Sequence, residues 1–231
     1  KEEADRQAAN EALRRKLNPT LDDLASYTEA ELEAMPVEPI EWPVIDVFHI
    51  GLWMLSSSPK LGKSFLMTAL GRAVATGTMF ANYKPTVQGD VLYLDLEGTI
   101  SRSQTRQRKV RGDWEHGSDR FRTMFEFPPM DNGGMERLIE AIDRWNSKLV
   151  IVDVWADFRP EMAKGEAAYS YDRRTLKPLR ELAKAKKITI ILVHHNRKAT
   201  DADSMFRMSG STGLGSGVDG TMILERDRGD D

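Results

Sequence analysis

The sequence has no cysteine and only four histidines among its 231 residues. The absence of cysteine excludes a disulfide scaffold and thiolate metal sites, and so few histidines argue against a dedicated zinc site. Long hydrophobic runs are also missing, because no apolar stretch approaches the roughly 20 residues of a membrane-spanning helix. The charged start, Lys1-Glu2-Glu3, is not typical of a signal peptide, so we expect a cytoplasmic protein.

The sequence also lacks a strong net charge. Thirty-three basic residues face thirty-six acidic ones, which leaves a formal charge of −3. No global basic field attracts nucleic acid, so any such binding must come from local patches. The length suffices for one well-buried α/β domain. The chain starts at lysine and stops in charged residues just after an apparent strand, and we expect it to be a segment of a longer protein.

The N-terminal region has its own pattern. Alanines at helical spacing among charges predict a helix over residues 1–17, either solvated on its own or lying as an arm on a neighbouring subunit. Residues 28–31 (Thr-Glu-Ala-Glu) resemble a capping box, which predicts a short helix ending before Pro36. We therefore predict an N-terminal arm and linker over residues 1–45 and a core over residues 46–231.

The stretch from Ser57 to Ser64 (Ser-Ser-Pro-Lys-Leu-Gly-Lys-Ser) is typical of a phosphate-binding loop. It lies between an apolar run and a helical pattern, which is the context that such a loop requires. Backbone N–H groups would surround the phosphates, Lys63 would lie between them, and Ser64 would bind Mg²⁺. The predicted nucleotide contacts are Ser58, Pro59, Lys60, Leu61, Gly62, Lys63, Ser64 and Phe65.

The core alternates apolar runs with helical patterns. The later predicted strands are Val91–Leu94, Phe121–Phe127, Leu149–Val152, Ile188–Val193 and Thr221–Leu224. Continuous β-branched runs separated by helices predict an α/β fold, with a mostly parallel central sheet covered by helices on both faces.

Ligands of open α/β sheets bind at the carboxyl ends of strands, and three of these ends carry polar residues. Asp153 follows an apolar run, as in a Walker B motif, and would help to hold Mg²⁺. Glu97 would orient or deprotonate the attacking water; alternatively, it caps the next helix. His194 and His195 would contact the γ-phosphate, or they are ordinary polar groups at a strand end.

The order of these motifs resembles that of the RecA-like P-loop ATPases. Within them, the chain looks most like the plasmid and phage replication helicases of the RepA type, over about Ile50 to Arg228. The more specific parts of the resemblance are residues 194–198 (His-His-Asn-Arg-Lys) and 208–214 (Met-Ser-Gly-Ser-Thr-Gly-Leu). The sequence departs from the family pattern at Ser57, where the loop usually has a glycine, and at Gly98, where relatives often have aspartate.

The resemblance implies specific roles. Glu97 matches the catalytic glutamate and His195 the γ-phosphate sensor. Arg106 matches an arginine that stacks on the adenine, and Arg226 one that reaches the nucleotide of the neighbouring subunit, a role that Arg228 could share.

Two segments, residues 155–173 and 197–216, mix basic residues with aromatics, as single-stranded DNA binding requires; the alternative is two ordinary surface loops. The predicted nucleic-acid contacts are Arg197, Lys198, Arg207, Ser209 and Ser211.

The resulting hypothesis is an ATP- and Mg²⁺-dependent motor on single-stranded DNA, similar to replicative helicases and assembled as a ring of six subunits. Alternatives are a recombinase-like filament, a regulatory RecA-like ATPase, and a module that uses ATP only for assembly.

Overall fold

The computed structural model describes residues 25–36, 41, 43–44, 47–81, 88–112, 116–195 and 213–225. The chain divides into two compact units, Lys1–Pro39 and Ile40–Asp231. The described part of the first unit contains helix α1 (Glu29–Ala34). The Thr28 hydroxyl accepts a hydrogen bond from the Glu31 backbone, and the Glu31 side chain accepts one from the Thr28 backbone. The predicted capping box and short helix are confirmed, while the helix predicted over residues 1–17 lies outside the described residues.

The second unit alternates strands with helices, as predicted. Its elements are β1 (Gly51–Ser57), α2 (Lys63–Thr76), β2 (Asp90–Asp95), α3 (Ile100–Arg111), β3 (Phe121–Met124), α4 (Met135–Trp145), β4 (Ser147–Asp153), α5 (Trp155–Phe158), α6 (Ala168–Lys186), β5 (Thr189–His195), α7 (Gly213–Gly217) and β6 (Gly220–Leu224). None of the helices in the described ranges has both the length and the apolar character needed to cross a membrane.

The six strands form one sheet in the order β3-β2-β4-β5-β1-β6, and every neighbouring pair is parallel. Because the strands run in one direction, their carboxyl ends lie at one edge of the sheet. Parallel strands require crossover connections, which the helices supply. The predicted parallel sheet is confirmed.

Side chains alternate between the two faces of the sheet and form two cores, since successive residues of a strand point in opposite directions. One core packs sheet residues against α4, α5 and α6 and includes Leu52, Leu92, Val150, Leu192, Leu138, Phe158 and Leu179. The other packs the opposite face against α2 and includes Leu55, Tyr93, Ile151, Ile191, Met67, Leu70 and Val74. Both faces are therefore covered, which explains why these strands have continuous apolar sequences.

Strand β3 is shorter than predicted. It pairs with β2 over four residues and ends at Met124, whereas the alternating pattern predicted a strand to Phe127. The Phe127 ring instead packs edge-to-face on Phe158, with 5.9 Å between ring centroids. Two prolines then follow at positions 128 and 129, and a proline has no backbone N–H for a strand ladder.

Candidate functional site

Four strands end in polar residues at the same edge of the sheet. Ser57 ends β1, Asp95 ends β2, Asp153 ends β4 and His195 ends β5. The register places Asp95 directly beside Asp153, and Ser57 directly beside His195. The sheet therefore brings these polar groups together at the edge where open α/β sheets bind ligands.

The loop after β1 turns sharply into α2. Gly62 caps this helix with a φ of 86°, in the left-handed region that favours glycine. Helix α2 starts at Lys63, so its free N–H groups face the loop. A helix N-terminus preceded by such a loop is suited to bind phosphate.

The Lys63 ammonium is buried at the base of the loop, with 5% of the residue exposed. It donates to the Ser57 carbonyl at 3.2 Å, the Ser57 hydroxyl at 2.8 Å, the Ser58 carbonyl at 3.2 Å and His195 Nδ1 at 3.1 Å. Four acceptors share three protons. Burial lowers the pKa of Lys63, while the negative charges of Asp153 and Glu97 oppose this shift.

Ser57, which departs from the glycine of the family pattern, is the last residue of β1 and is fully buried. Its hydroxyl accepts from Lys63 and donates to the Ser58 carbonyl at 2.8 Å. The serine therefore supplies an extra acceptor to the buried ammonium.

His195 connects Lys63 to Glu97. An ammonium only donates, so His195 Nδ1 must be the acceptor and its proton must lie on Nε2. Nε2 then faces Glu97 Oε2 at 3.4 Å. A continuous polar chain thus joins the loop lysine, the end of β5 and the turn after β2.

A second, more deeply buried network surrounds Asp153. Tyr93 donates to Asp153 Oδ2 at 2.6 Å, and Arg106 donates to the Tyr93 hydroxyl at 3.1 Å. Arg106 also pairs with Asp95 Oδ2 at 3.4 Å. Burial, reinforced by the Asp153 charge, raises the pKa of Tyr93 well above its ordinary value. Burial also raises the pKa of Asp95, against the opposing charge of Arg106.

Gly98, the second departure, has a steric explanation. A Cβ atom at this position would overlap the carboxyl group of Asp95. The Asp95 carboxylate fills the space that a side chain at 98 would need, so a glycine at 98 and an aspartate at 95 belong together.

Two adjoining cavities, of about 650 and 380 Å³, lie above these networks and share Ser64, Phe65, Glu97, Arg102 and Arg106. The larger is also lined by the loop and His195, and the smaller by Asp95 and Asp153. An 810 Å³ cavity lies elsewhere, along α6. We assign the nucleotide to the smaller pair because the helix N-terminus, Lys63 and the acidic residues converge there.

The donors at this edge fit Mg²⁺. The Ser64 and Asp153 side chains line the same cavity and offer the hard oxygen ligands that this ion prefers. Within the described ranges, no group of three or more His, Asp or Glu residues could hold a metal by itself. That arrangement suits an ion that takes its other ligands from phosphate and water.

Most of the predicted nucleotide and catalytic residues therefore lie together. Ser58 and Leu61 do not line either of the two cavities, although the Ser58 carbonyl holds Lys63. Arg102, which sequence reasoning did not assign to the site, lines both; its four-residue spacing from Arg106 on a polar helix was the available signal. The predictions for Arg226, Arg197, Lys198, Arg207, Ser209 and Ser211 fall outside the described residues.

The DNA-contact prediction for residues 155–173 is wrong for its buried aromatics. Trp155 is fully buried in α5, and Tyr171 is buried in α6 with its hydroxyl donating to the Pro160 carbonyl. Neither ring can stack on a base. Tyr169 and Arg173 remain exposed, but they lie on α6 rather than in a loop.

Comparisons with known proteins agree with this geometry. The sequence matches the AAA domain family over residues 18–201. The chain belongs to this family. The solved ATPase domain of a DnaB-like replicative helicase has a TM-score of 0.57 to this AAA domain at 11% identity, covering 77% of this chain and 70% of the other.

A DnaB-like replicative helicase, solved to describe its interactions with primase, gives a TM-score of 0.61 at 12% identity and covers 96% of this chain. The AAA domain spans only 62% of that helicase chain. At such identities the likeness shows the fold, and it confirms the predicted RecA-like P-loop architecture. A comparison with curated proteins finds no match.

We predict that Lys63→Ala lowers the affinity for ATP by about 10- to 100-fold, because charge-assisted hydrogen bonds contribute roughly 1.5–3 kcal/mol. Calorimetric titration with ATP measures this change. Lys109→Ala, which removes an exposed lysine of α3, is the matched control and should bind like the parent. An unchanged affinity in Lys63→Ala would show that the loop does not hold the phosphates.

Proposed function

We propose that this protein is an ATP-hydrolysing motor on single-stranded DNA that works as a ring of six subunits. The observation that carries the ATPase part is the chain from Lys63 through His195 to Glu97. It links the group that would hold the phosphates to a carboxylate positioned to act on water. The motor, the ring and the DNA partner are supported by the likeness to DnaB-like helicases.

The proposed reaction is hydrolysis of the terminal phosphoanhydride bond. Glu97 takes a proton from water as its oxygen bonds to the γ-phosphorus, and the bond to the leaving ADP oxygen breaks. Lys63 and the N–H groups of α2 hold the phosphate oxygens. Mg²⁺, held by Ser64 and Asp153, would neutralise charge on those oxygens. His195, which contacts both Lys63 and Glu97, would respond to loss of the γ-phosphate.

The remaining parts of the site follow from the family resemblance. Arg106 lines both cavities and would stack on the adenine, while its guanidinium also serves Tyr93 and Asp95. Arg226 of a neighbouring subunit would complete the site. An arginine supplied in this way makes hydrolysis depend on assembly.

We predict that Glu97→Gln lowers the hydrolysis rate by about 100- to 10,000-fold, the usual contribution of general-base catalysis. ATP binding should change little, because the phosphate contacts remain. Steady-state turnover and calorimetric binding measure the two effects separately. Glu136→Gln changes an exposed glutamate of α4 and should behave like the parent. If Glu97→Gln hydrolyses ATP at the parent rate, another group activates the water.

Among the described residues, the groove along α6 is the best candidate for a DNA surface. Its 810 Å³ cavity is lined by basic residues spaced along one helical face: Arg173, Lys177, Arg180 and Lys184. Asp219 pairs with Arg180 at 2.6 Å, and Glu181 lies 3.7 Å from Lys177. Arg173 and Lys184 have no ion-pair partner in the described part of the chain, and Tyr169, with 48% of its surface exposed, adds an aromatic ring. Cations with an exposed ring suit a single strand.

We predict that replacing Arg173 and Lys184 with glutamine weakens single-stranded DNA binding. Two lost phosphate contacts should reduce the slope of log affinity against log salt concentration by about 1.4. Fluorescence anisotropy at several salt concentrations measures the slope. The matched control replaces two exposed cations elsewhere, Lys109 and Arg144, and should leave the slope unchanged. An unchanged slope in the α6 variant would place the DNA contacts on other residues.

The alternatives make different predictions about assembly. With an ATP analogue and an oligonucleotide, we expect electron microscopy to show closed six-membered rings with nucleic acid in the pore. Open helical filaments would favour the recombinase-like alternative instead. Assembly on ATP without DNA-stimulated turnover would favour the assembly module.

A further inference from the structure

Tyr93 is buried beside the proposed metal site and has no role in the reaction described above. It lies in β2, two residues before the strand ends, and none of its surface is exposed. Its ring stacks on Phe121 with a centroid distance of 6.0 Å and an interplanar angle of 10°. This stacking fixes the ring, so the hydroxyl reaches the Asp153 carboxylate and Arg106 in a defined position.

The proton on this hydroxyl has only one direction to take. Arg106 can only donate, so the Tyr93 oxygen accepts its hydrogen bond at 3.1 Å. The hydroxyl proton must therefore go to Asp153 Oδ2, at 2.6 Å. One carboxylate oxygen is committed to Tyr93, which fixes the orientation of the group and leaves the second oxygen for the cavity.

Arg106 also allows two acidic groups to lie side by side. Asp95 and Asp153 are direct partners in the β2–β4 register, and 2% and 3% of their surfaces are exposed. Two buried like charges at this separation repel each other. Arg106 pairs with Asp95 and donates to Tyr93, so a single guanidinium offsets one charge and orients the donor to the other.

We propose that Tyr93 is a positioning residue for Mg²⁺ binding: it holds the Asp153 carboxylate in the orientation that serves the ion of a bound nucleotide. This inference rests on the proposed function, since it concerns the same site. Partners of this kind orient metal ligands, and their loss commonly costs 10- to 100-fold in metal affinity. Tyr93 touches neither the nucleotide nor water in this role; it acts through Asp153.

The test is Tyr93→Phe, which keeps the stacked ring and removes only the hydroxyl. Binding of a non-hydrolysable ATP analogue is measured by calorimetry across a range of Mg²⁺ concentrations and in EDTA. The Mg²⁺ concentration that gives half of the metal-dependent gain in affinity should rise about 10- to 100-fold. Affinity in EDTA should stay at the parent value, because the phosphate contacts of the loop are intact.

Tyr171→Phe is the matched control. It also removes a buried hydroxyl, whose hydrogen bond goes to the Pro160 carbonyl, and it should leave the Mg²⁺ dependence unchanged. A purely structural role for Tyr93 would lower affinity with and without Mg²⁺ alike, and that result would overturn the proposal. An unchanged Mg²⁺ dependence in Tyr93→Phe would also overturn it.

A double-variant cycle links the effect to Asp153. In an Asp153→Asn background, Tyr93→Phe should cause no further loss of Mg²⁺ dependence, because the oriented group is already gone. If Tyr93→Phe alone does not fold, the double variant should fold, since it also removes the buried charge left without its donor. Failure of both to fold would make Tyr93 structural. If the parent itself binds the analogue neither with nor without Mg²⁺, the proposed function fails instead.

Discussion

The parallel register of β1 with β5 and of β2 with β4 determines every contact at the proposed nucleotide site. It brings Ser57 beside His195 and Asp95 beside Asp153, although these residues come from distant parts of the chain. Apolar side chains on both faces hold the strands in this register, because a shift by one residue would turn each buried side chain to the opposite face. The chemistry at the edge is therefore a consequence of the packing beneath it.

The two polar networks at this edge differ in burial, and so in what they can do. In the first, the His195 and Glu97 side chains are 35% and 55% exposed, so exchanging their contact for one with phosphate or water costs little. In the second, Tyr93, Asp95 and Asp153 are almost fully buried, and breaking a contact would leave a charge or a donor unpaired. The exposed network is suited to respond to the nucleotide, and the buried one to hold a fixed geometry.

Much of this arrangement could be predicted from local sequence. An apolar run ending in Asp153 and a loop opening at Lys63 are short patterns whose physical meaning does not depend on the rest of the chain. The role of Tyr93 could not be predicted, because its partner Asp153 lies 60 residues away and only the sheet register brings them together. Burial of Trp155 was missed for a similar reason, since composition alone does not distinguish an aromatic in a loop from one in a core. The roles proposed for individual site residues remain predictions.

The overlap between a Cβ at position 98 and the Asp95 carboxyl group has a consequence for how such sequences can diverge. A side chain gained at 98 while aspartate remains at 95 would expel a buried carboxylate and leave Arg106 without its ion pair. The opposite order, loss of the acid first, leaves a gap that a new side chain can later fill. The two positions are thus mutually dependent, and an evolutionary path between the two arrangements passes more easily through the small residue than through the crowded pair.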